Sequence, residues 1–287
     1  MKINKVAVIG AGTMGTGIAY VCAVKGYNVS IRDIKEDLVK QGMGKIREMI
    51  ATGVNRGKLT PKEAEETMKR IRSTTDVTEA VGDADLVVEA IFEDMALKKK
   101  VFKELDESSP PHTILASNTS VLSVTEMGSA TQRPDKVVGV HFFNPPYTMK
   151  LVEIISGKQT SDETMKIAND FAVSLDKETV QVKDTPGFIV NRILGAAMGE
   201  AFYLLEEGIA SARDIDKACV LGLNWPVGPI TLADFVGLDV AYHSGKSISE
   251  TLGEDYLRKR LKPSKLLEEK VKAGHLGIKT RKGFYEY

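Results

Sequence analysis

Apolar residues recur along this chain with two different periods, and the change between them divides it. Val6-Ala7-Val8-Ile9 is a continuous apolar run closed by glycine, the pattern of a strand buried on both faces. Thr13 to Lys25 follows helical spacing and stops at Gly26, and Asn28 to Asp33 reads as a second strand. Strand, glycine turn, helix and strand in that order make a βαβ unit. From Lys35 to Arg72 the chain is charged and helix-favouring, broken at Asn55-Arg56-Gly57-Lys58-Leu59-Thr60-Pro61. Thr60, Pro61 and Glu63 supply a cap, an N1 proline and an N3 acid, so two helices are expected there. The α/β rhythm then resumes. Strands are expected at Leu86–Ile91, Ile114–Ser117, Val137–Phe142, Leu151–Ile155 and Val180–Val182, with helices near 96–105 and 162–175.

The pattern changes after Asp184-Thr185-Pro186-Gly187, a break rich in turn formers. Phe188 to Glu207 is apolar on almost every turn, which predicts a helix buried nearly all round. The remainder reads as helices separated by Gly/Pro breaks such as Asn224-Trp225-Pro226-Val227-Gly228-Pro229. The expected fold is α/β, a Rossmann-type doubly wound sheet over residues 1–185 with a helical insertion at about 35–72. A smaller all-helical domain is expected over 186–287.

Composition refines this only slightly. Lys plus Arg equals Asp plus Glu at 39 each, so no net field draws the chain to nucleic acid or a membrane surface. No apolar stretch approaches the ~20 residues that span a bilayer. The first residues read as a strand rather than a signal segment, which points to the cytoplasm. Cys22 and Cys219 both fall in helical stretches and read as small hydrophobes; a disulfide between them stays open.

The loop Gly10-Ala11-Gly12-Thr13-Met14-Gly15 has the G-x-G-x-x-G spacing that cradles a dinucleotide pyrophosphate. Alone, such a pattern reads equally well as a chance glycine cluster. Here it leaves a buried strand and opens a helix, whose first N–H groups and dipole suit phosphate. Asp33 ends the second strand, placed to accept from the adenosine ribose hydroxyls and to repel a 2′-phosphate. NAD is therefore expected over NADP, although Arg32 beside it is a residue type that recruits that phosphate.

His141 is one of four histidines and lies at the carboxyl end of a strand, where open α/β sheets bind ligands. Glu153 interrupts the next apolar strand and is costly to bury without a partner. A carboxylate that orients an imidazole suits a proton-transfer catalyst beside a nicotinamide. Ser120 and Asn191 are candidate contacts to a substrate oxygen. Both also read as ordinary turn or helix-start residues. No metal is expected in the site.

Together these residues resemble the short, monofunctional 3-hydroxyacyl-CoA dehydrogenases, especially the 3-hydroxybutyryl-CoA dehydrogenases. The stretches are Val8 to Gly15, Glu89-Ala90-Ile91-Phe92-Glu93, Ser117-Asn118-Thr119-Ser120 and His141-Phe142-Phe143-Asn144-Pro145. Met149 to Glu153, Pro186 to Arg192 and Gly283-Phe284-Tyr285 extend the likeness over the whole chain. The resemblance implies oxidation of an (S)-3-hydroxyacyl-CoA to the 3-ketoacyl-CoA, or the reverse. It implies His141 as general base and acid, Glu153 as its orienting partner, and Ser120 and Asn191 as substrate contacts. Glu93, Lys98, Ser120, Asn144 and Lys279 are implied to contact NAD. The 35–72 excursion matches the family's CoA-facing element, so Arg56 and Lys58 become candidate partners of CoA phosphates; each reads equally as part of a solvated charged face. A homodimer through the helical domain, which also closes over the substrate, is implied as well.

Three rivals share parts of this pattern. The β-hydroxyacid dehydrogenases of the 6-phosphogluconate type use an Asn and a catalytic Lys on the corresponding helix. Here Arg192 follows Asn191, and arginine is not a usable base. An L-gulonate 3-dehydrogenase shares the motifs but takes a substrate without CoA. A non-catalytic NAD-binding protein on the same fold is the third.

Overall fold

In the computed structural model, residues 2–252 and 262–287 are described. They form two compact units, Met1–Asp184 and Thr185–Tyr287.

The first unit is built on eight strands: β1 (Lys5–Ile9), β2 (Asn28–Arg32), β3 (Ile71–Thr74), β4 (Leu86–Glu89), β5 (Ile114–Ser117), β6 (Val137–Phe142), β7 (Leu151–Ser156) and β8 (Glu178–Lys183). They lie in one sheet in the order β3-β2-β1-β4-β5-β6-β7-β8. Its helices are α1 (Thr13–Val24), α2 (Glu36–Asn55), α3 (Pro61–Lys69), α4 (Val77–Val81), α5 (Met95–Ser108), α6 (Val124–Gly128) and α7 (Asp162–Ser174). The doubly wound expectation is borne out. β1 pairs with β2 on one side and β4 on the other, so the chain reverses direction across the sheet at β1. Ligands of open α/β sheets sit above such a reversal, at the carboxyl ends of the strands.

The sheet is not wholly parallel. β7 runs antiparallel to β6, and β8 then pairs parallel to β7. The connection 143–150 is too short for the helical crossover that a parallel neighbour requires. It turns the chain straight back and sets two strand ends side by side.

Central strands read as apolar runs because both faces are covered. Val6, Val8, Ile31 and Val88 join Ile18 of α1 and Ile46 of α2 in one buried cluster. Each such side chain contributes about 1.5–3 kcal/mol on full burial. α2 and α3 form the predicted pair, and Thr60 closes a capping box with Glu63, the Thr60 N–H donating to the carboxylate at 2.7 Å.

Three expectations need correction. The excursion stops at Lys69, and Arg72 lies on edge strand β3, which has a single buried residue, Ile71, and so shows no apolar run. The short helices α4 and α6 were not expected. They are held by the side-chain caps Asp76 and Ser123 and are too short to show a period.

The second unit holds α8 (Val190–Glu206), α9 (Ala212–Gly222), α10 (Pro229–Val236), α11 (Leu238–Thr251) and α12 (Lys265–Lys272). The third correction concerns α8. It buries Met198, Ala201 and Phe202, while Ile193 is 65% exposed, so the helix is covered on one side only. Its apolar turns outnumber what the small cluster around Ile215, Ile230 and Leu267 can cover. Cys22 is buried in α1 and Cys219 half-buried in α9; both are free thiols. Among the described residues, no helix is long and apolar enough to cross a membrane.

Candidate active site

The glycine loop shows why its glycines are needed. Gly10 has φ +111°, and a Cβ there would lie 2.5 Å from the Ala90 carbonyl oxygen on β4's extension. A Cβ on Gly15 would lie 1.9 Å from the Gly10 carbonyl oxygen, so only glycine lets α1 start this close to β1. At Gly12 the space is open, and α1 begins there with no side-chain cap on its first turn. That leaves a helix N-terminus accessible to phosphate. Asp33 accepts from the Ala11 N–H at 2.7 Å and from the Ile34 N–H at 2.7 Å, which fixes its carboxylate beside the loop. Arg32 turns away and donates from Nε to the Thr75 carbonyl at 3.1 Å. Open loop, uncapped helix start and adjacent carboxylate fit a dinucleotide.

The antiparallel turn at 143–150 puts His141 directly opposite Glu153 in the β6–β7 ladder. His141 Nδ1 lies 2.7 Å from Glu153 Oε2, with the ring 5% exposed and the carboxylate fully buried. A carboxylate only accepts, so Nδ1–H is the donor in this pair. The arrangement can take a proton at Nε2 while Glu153 stabilises the resulting imidazolium. Phe143 lies against the imidazole at 4.5 Å between ring centres. The neighbouring Phe142 N–H donates to the Asn118 side-chain oxygen at 2.9 Å, which ties the β5 loop to this strand.

That loop carries Ser120, and a buried charge network holds it. Glu89, at the end of β4, accepts from Lys98 Nζ at 2.6 Å, Ser117 Oγ at 2.6 Å and the Ile91 N–H at 2.8 Å. Lys98 also meets Glu93 at 3.2 Å. Glu93 in turn accepts from the Ser120 N–H at 2.8 Å and from the Thr119 hydroxyl. Burial pushes the Glu93 carboxyl up, but the Lys98 ammonium, the Thr119 hydroxyl and the Ser120 N–H outweigh it and hold the carboxyl below its usual value. A lowered carboxylate stabilises the fold above its unfolded pKa and loses that contribution as pH falls through its folded value. Glu93 should therefore keep its grip on the Ser120 loop down to acid conditions below the usual ~4.3. Denaturant unfolding followed from neutral to acid pH should lose less stability in Glu93→Gln than in the parent chain. Equal acid slopes in the two proteins would remove Glu93 from this role.

With fold and geometry in place, two family models match the chain end to end. The 3-hydroxyacyl-CoA dehydrogenase NAD binding domain covers residues 5–185, and that family's C-terminal domain covers 187–287. The chain belongs to the 3-hydroxyacyl-CoA dehydrogenase family. It is 43% identical over 287 residues to a probable 3-hydroxybutyryl-CoA dehydrogenase of Bacillus subtilis, covering 100% of this chain and 98% of that one. It is 41% identical over 290 residues to the human mitochondrial hydroxyacyl-coenzyme A dehydrogenase, covering 99% and 91%. The crystal structure of (S)-3-hydroxybutyryl-CoA dehydrogenase from Ralstonia eutropha superposes with a TM-score of 0.94 at 39% identity, covering 100% of this chain and 99% of that one.

In this dehydrogenase the other expected residues fall into separate places. Arg56, Lys58, Thr13 and Asn144 line one cavity of about 430 Å³ between α1, α2 and the turn after β6. Lys45 of α2 adds a further cation, and Tyr20 and Tyr147 an aromatic wall. Met14 packs against the core beneath the loop. Lys98 is 1% exposed, buried between two carboxylates rather than presented to solvent. Asn191, in the first turn of α8, and Lys279, ion-paired with Asp239, belong to the second unit.

Sequence reasoning passed over Glu89, Asn118, Lys45 and Tyr147. Glu89 carried a usable signal: it is a carboxylate on an apolar strand, the same feature that singled out Glu153. Asn118 lay within a stretch that carries the family resemblance, whereas Tyr147 had no signal, since its partner Tyr20 comes from a distant segment.

Proposed function

We propose that this chain interconverts (S)-3-hydroxybutyryl-CoA and acetoacetyl-CoA with NAD(H), His141 acting as general base and acid. The His141–Glu153 pair carries this reading. A bound nicotinamide supplies the hydride acceptor or donor.

The protein's own residues do the rest. N–H groups of Gly12 to Gly15, at the start of α1, would hold the pyrophosphate, and Asp33, fixed by the Ala11 N–H, would accept from the ribose hydroxyls. A fixed carboxylate there disfavours a 2′-phosphate, so NADH is preferred to NADPH. His141 Nε2 takes the proton of the 3-hydroxyl as hydride leaves the same carbon, and returns it in reduction. Glu153 holds the ring by its Nδ1–H and offsets the positive charge that develops. Ser120 and Asn191 are assigned to the substrate oxygen. Glu93, Lys98 and Asn144 are assigned to the nicotinamide end, the first two through the network that sets the Ser120 loop. Lys279 is assigned to the same cofactor. Arg56 and Lys58 are assigned to CoA phosphates, on the basic rim of the cavity they line. The helical unit is assigned the homodimer contact, since Ile193, Leu221 and Leu223 leave apolar surface there exposed.

Steady-state oxidation of NADH tests the reading. Turnover is expected with acetoacetyl-CoA, falling with longer 3-ketoacyl-CoAs and when NADPH replaces NADH. Dehydrogenation of L-gulonate with none of acetoacetyl-CoA would overturn it, and retention of full rate with NADPH would remove Asp33's role.

A further inference from the structure

Lys177, just before β8, is buried at 8% exposure beneath the turn that joins the two reactive strands. Its ammonium donates to the carbonyls of Pro146 at 2.6 Å and Met149 at 2.8 Å. Burial lowers its pKa, with the Asp176 carboxylate opposing the shift and the Lys25 ammonium adding to it. Taking an ammonium out of water is costly unless it is hydrogen-bonded, so its placement calls for a reason.

The reason lies in what the turn carries. Segment 143–150 links His141 on β6 to Glu153 on β7. Met149 and Thr148 N–H groups both donate to the Pro145 carbonyl at 3.0 Å, closing the turn on itself. From α1, Gly17 lets it come close: a Cβ there would lie 2.9 Å from Pro146 Cδ. Lys177 and Gly17 therefore hold the inner side of the turn. The same turn presents Asn144, Pro145, Pro146 and Tyr147 to the cavity, across from Lys45 and Arg56 of the α2 region. Tyr147 meets Tyr20 edge-on, with ring centres 6.0 Å apart.

We propose that Lys177 is a positioning residue for the CoA portion of the substrate, acting through the Pro146 and Met149 carbonyls of the turn whose residues 144–147 line the cavity. The inference rests on the proposed reading that this cavity receives the phosphorylated handle of an acyl-CoA. It separates two tasks that one turn performs. The β6–β7 ladder aligns His141 with Glu153, and Lys177 sets where the wall between them stands. Losing the ammonium should loosen the wall and leave the ladder in register. Interactions that serve ground state and transition state alike appear in KM and not in kcat.

Lys177→Met keeps length and apolar contact and removes both charge-assisted bonds. The expected result is a KM for acetoacetyl-CoA raised on the order of tenfold, with kcat within about twofold. The Kd for free CoA, measured by calorimetry, should rise in parallel. Gly17→Ala displaces Pro146 from the α1 side and should give the same split; it carries the test if Lys177→Met does not fold. A fall in melting temperature with KM and the CoA Kd unchanged, or equal losses in kcat and kcat/KM, would overturn the proposal. If the parent chain binds CoA without reducing acetoacetyl-CoA, the proposed reaction fails while the CoA Kd still decides the role of Lys177. If it binds no CoA, both fail.

Discussion

His141→Ala should reduce turnover of acetoacetyl-CoA by roughly 10²–10⁴-fold while NADH still binds with an unchanged Kd. In the proposed reaction the imidazole meets the moving proton, whereas the dinucleotide is assigned to the glycine loop and Asp33, which follow other strands of the sheet. Loss of the ring also leaves the Glu153 carboxylate buried without its partner, which is costly. His141→Gln keeps a donor near the carboxylate, so it should fold better and remain comparably inactive. Steady-state rates together with a fluorescence titration of NADH separate the two effects. A rate loss under about tenfold, worth 1.4 kcal/mol, would mean that another group moves the proton. Loss of NADH binding alongside turnover would mean that the ring supports the cofactor site instead.

The second large effect is expected at Lys98. Lys98→Met leaves Glu89, fully buried, and Glu93 without the cation between them. Breaking one partner out of a buried ion pair typically costs about 3–5 kcal/mol. The denaturation midpoint should fall by a corresponding amount, and activity should fall with it because Glu93 holds the Ser120 loop. Combining Lys98→Met with Glu89→Gln should recover part of the loss, since the second change removes one of the stranded charges. Additive losses in the double variant, or a single-variant cost below about 1 kcal/mol, would show that the three groups are not one network.

Most of the first unit was legible from local pattern. Strands β1 and β4 to β7 are apolar runs between glycines and polar turns, β2 alternates polar with apolar residues, and α1 carries helical spacing from Thr13. The cap at Thr60 could be read because all its partners lie within three residues. Edge strand β3 escaped notice for a physical reason: one covered face and one neighbour leave a single buried side chain, which is no pattern. The α8 expectation erred in the opposite direction. Apolar content states what a helix can bury, and the packing around it states what is buried.

At the site, the pairing of His141 with Glu153 was reachable by argument, because an acid on an apolar strand needs a partner nearby. The argument could not supply the register. Local sequence decided where chain segments are helical, extended or turned, and it placed a phosphate-binding loop before α1 with an acid after β2. Those are contacts within a few residues or within one βαβ unit. The tertiary structure decided which distant residues meet: His141 with Glu153 across an antiparallel turn, Lys98 with Glu89 and Glu93, and Lys177 with the carbonyls under that turn. Strand order and burial are set by the whole sheet, so no window of the chain contains them. The chemistry depends on those long-range meetings because only buried, oriented charges hold a proton donor and its partner in place.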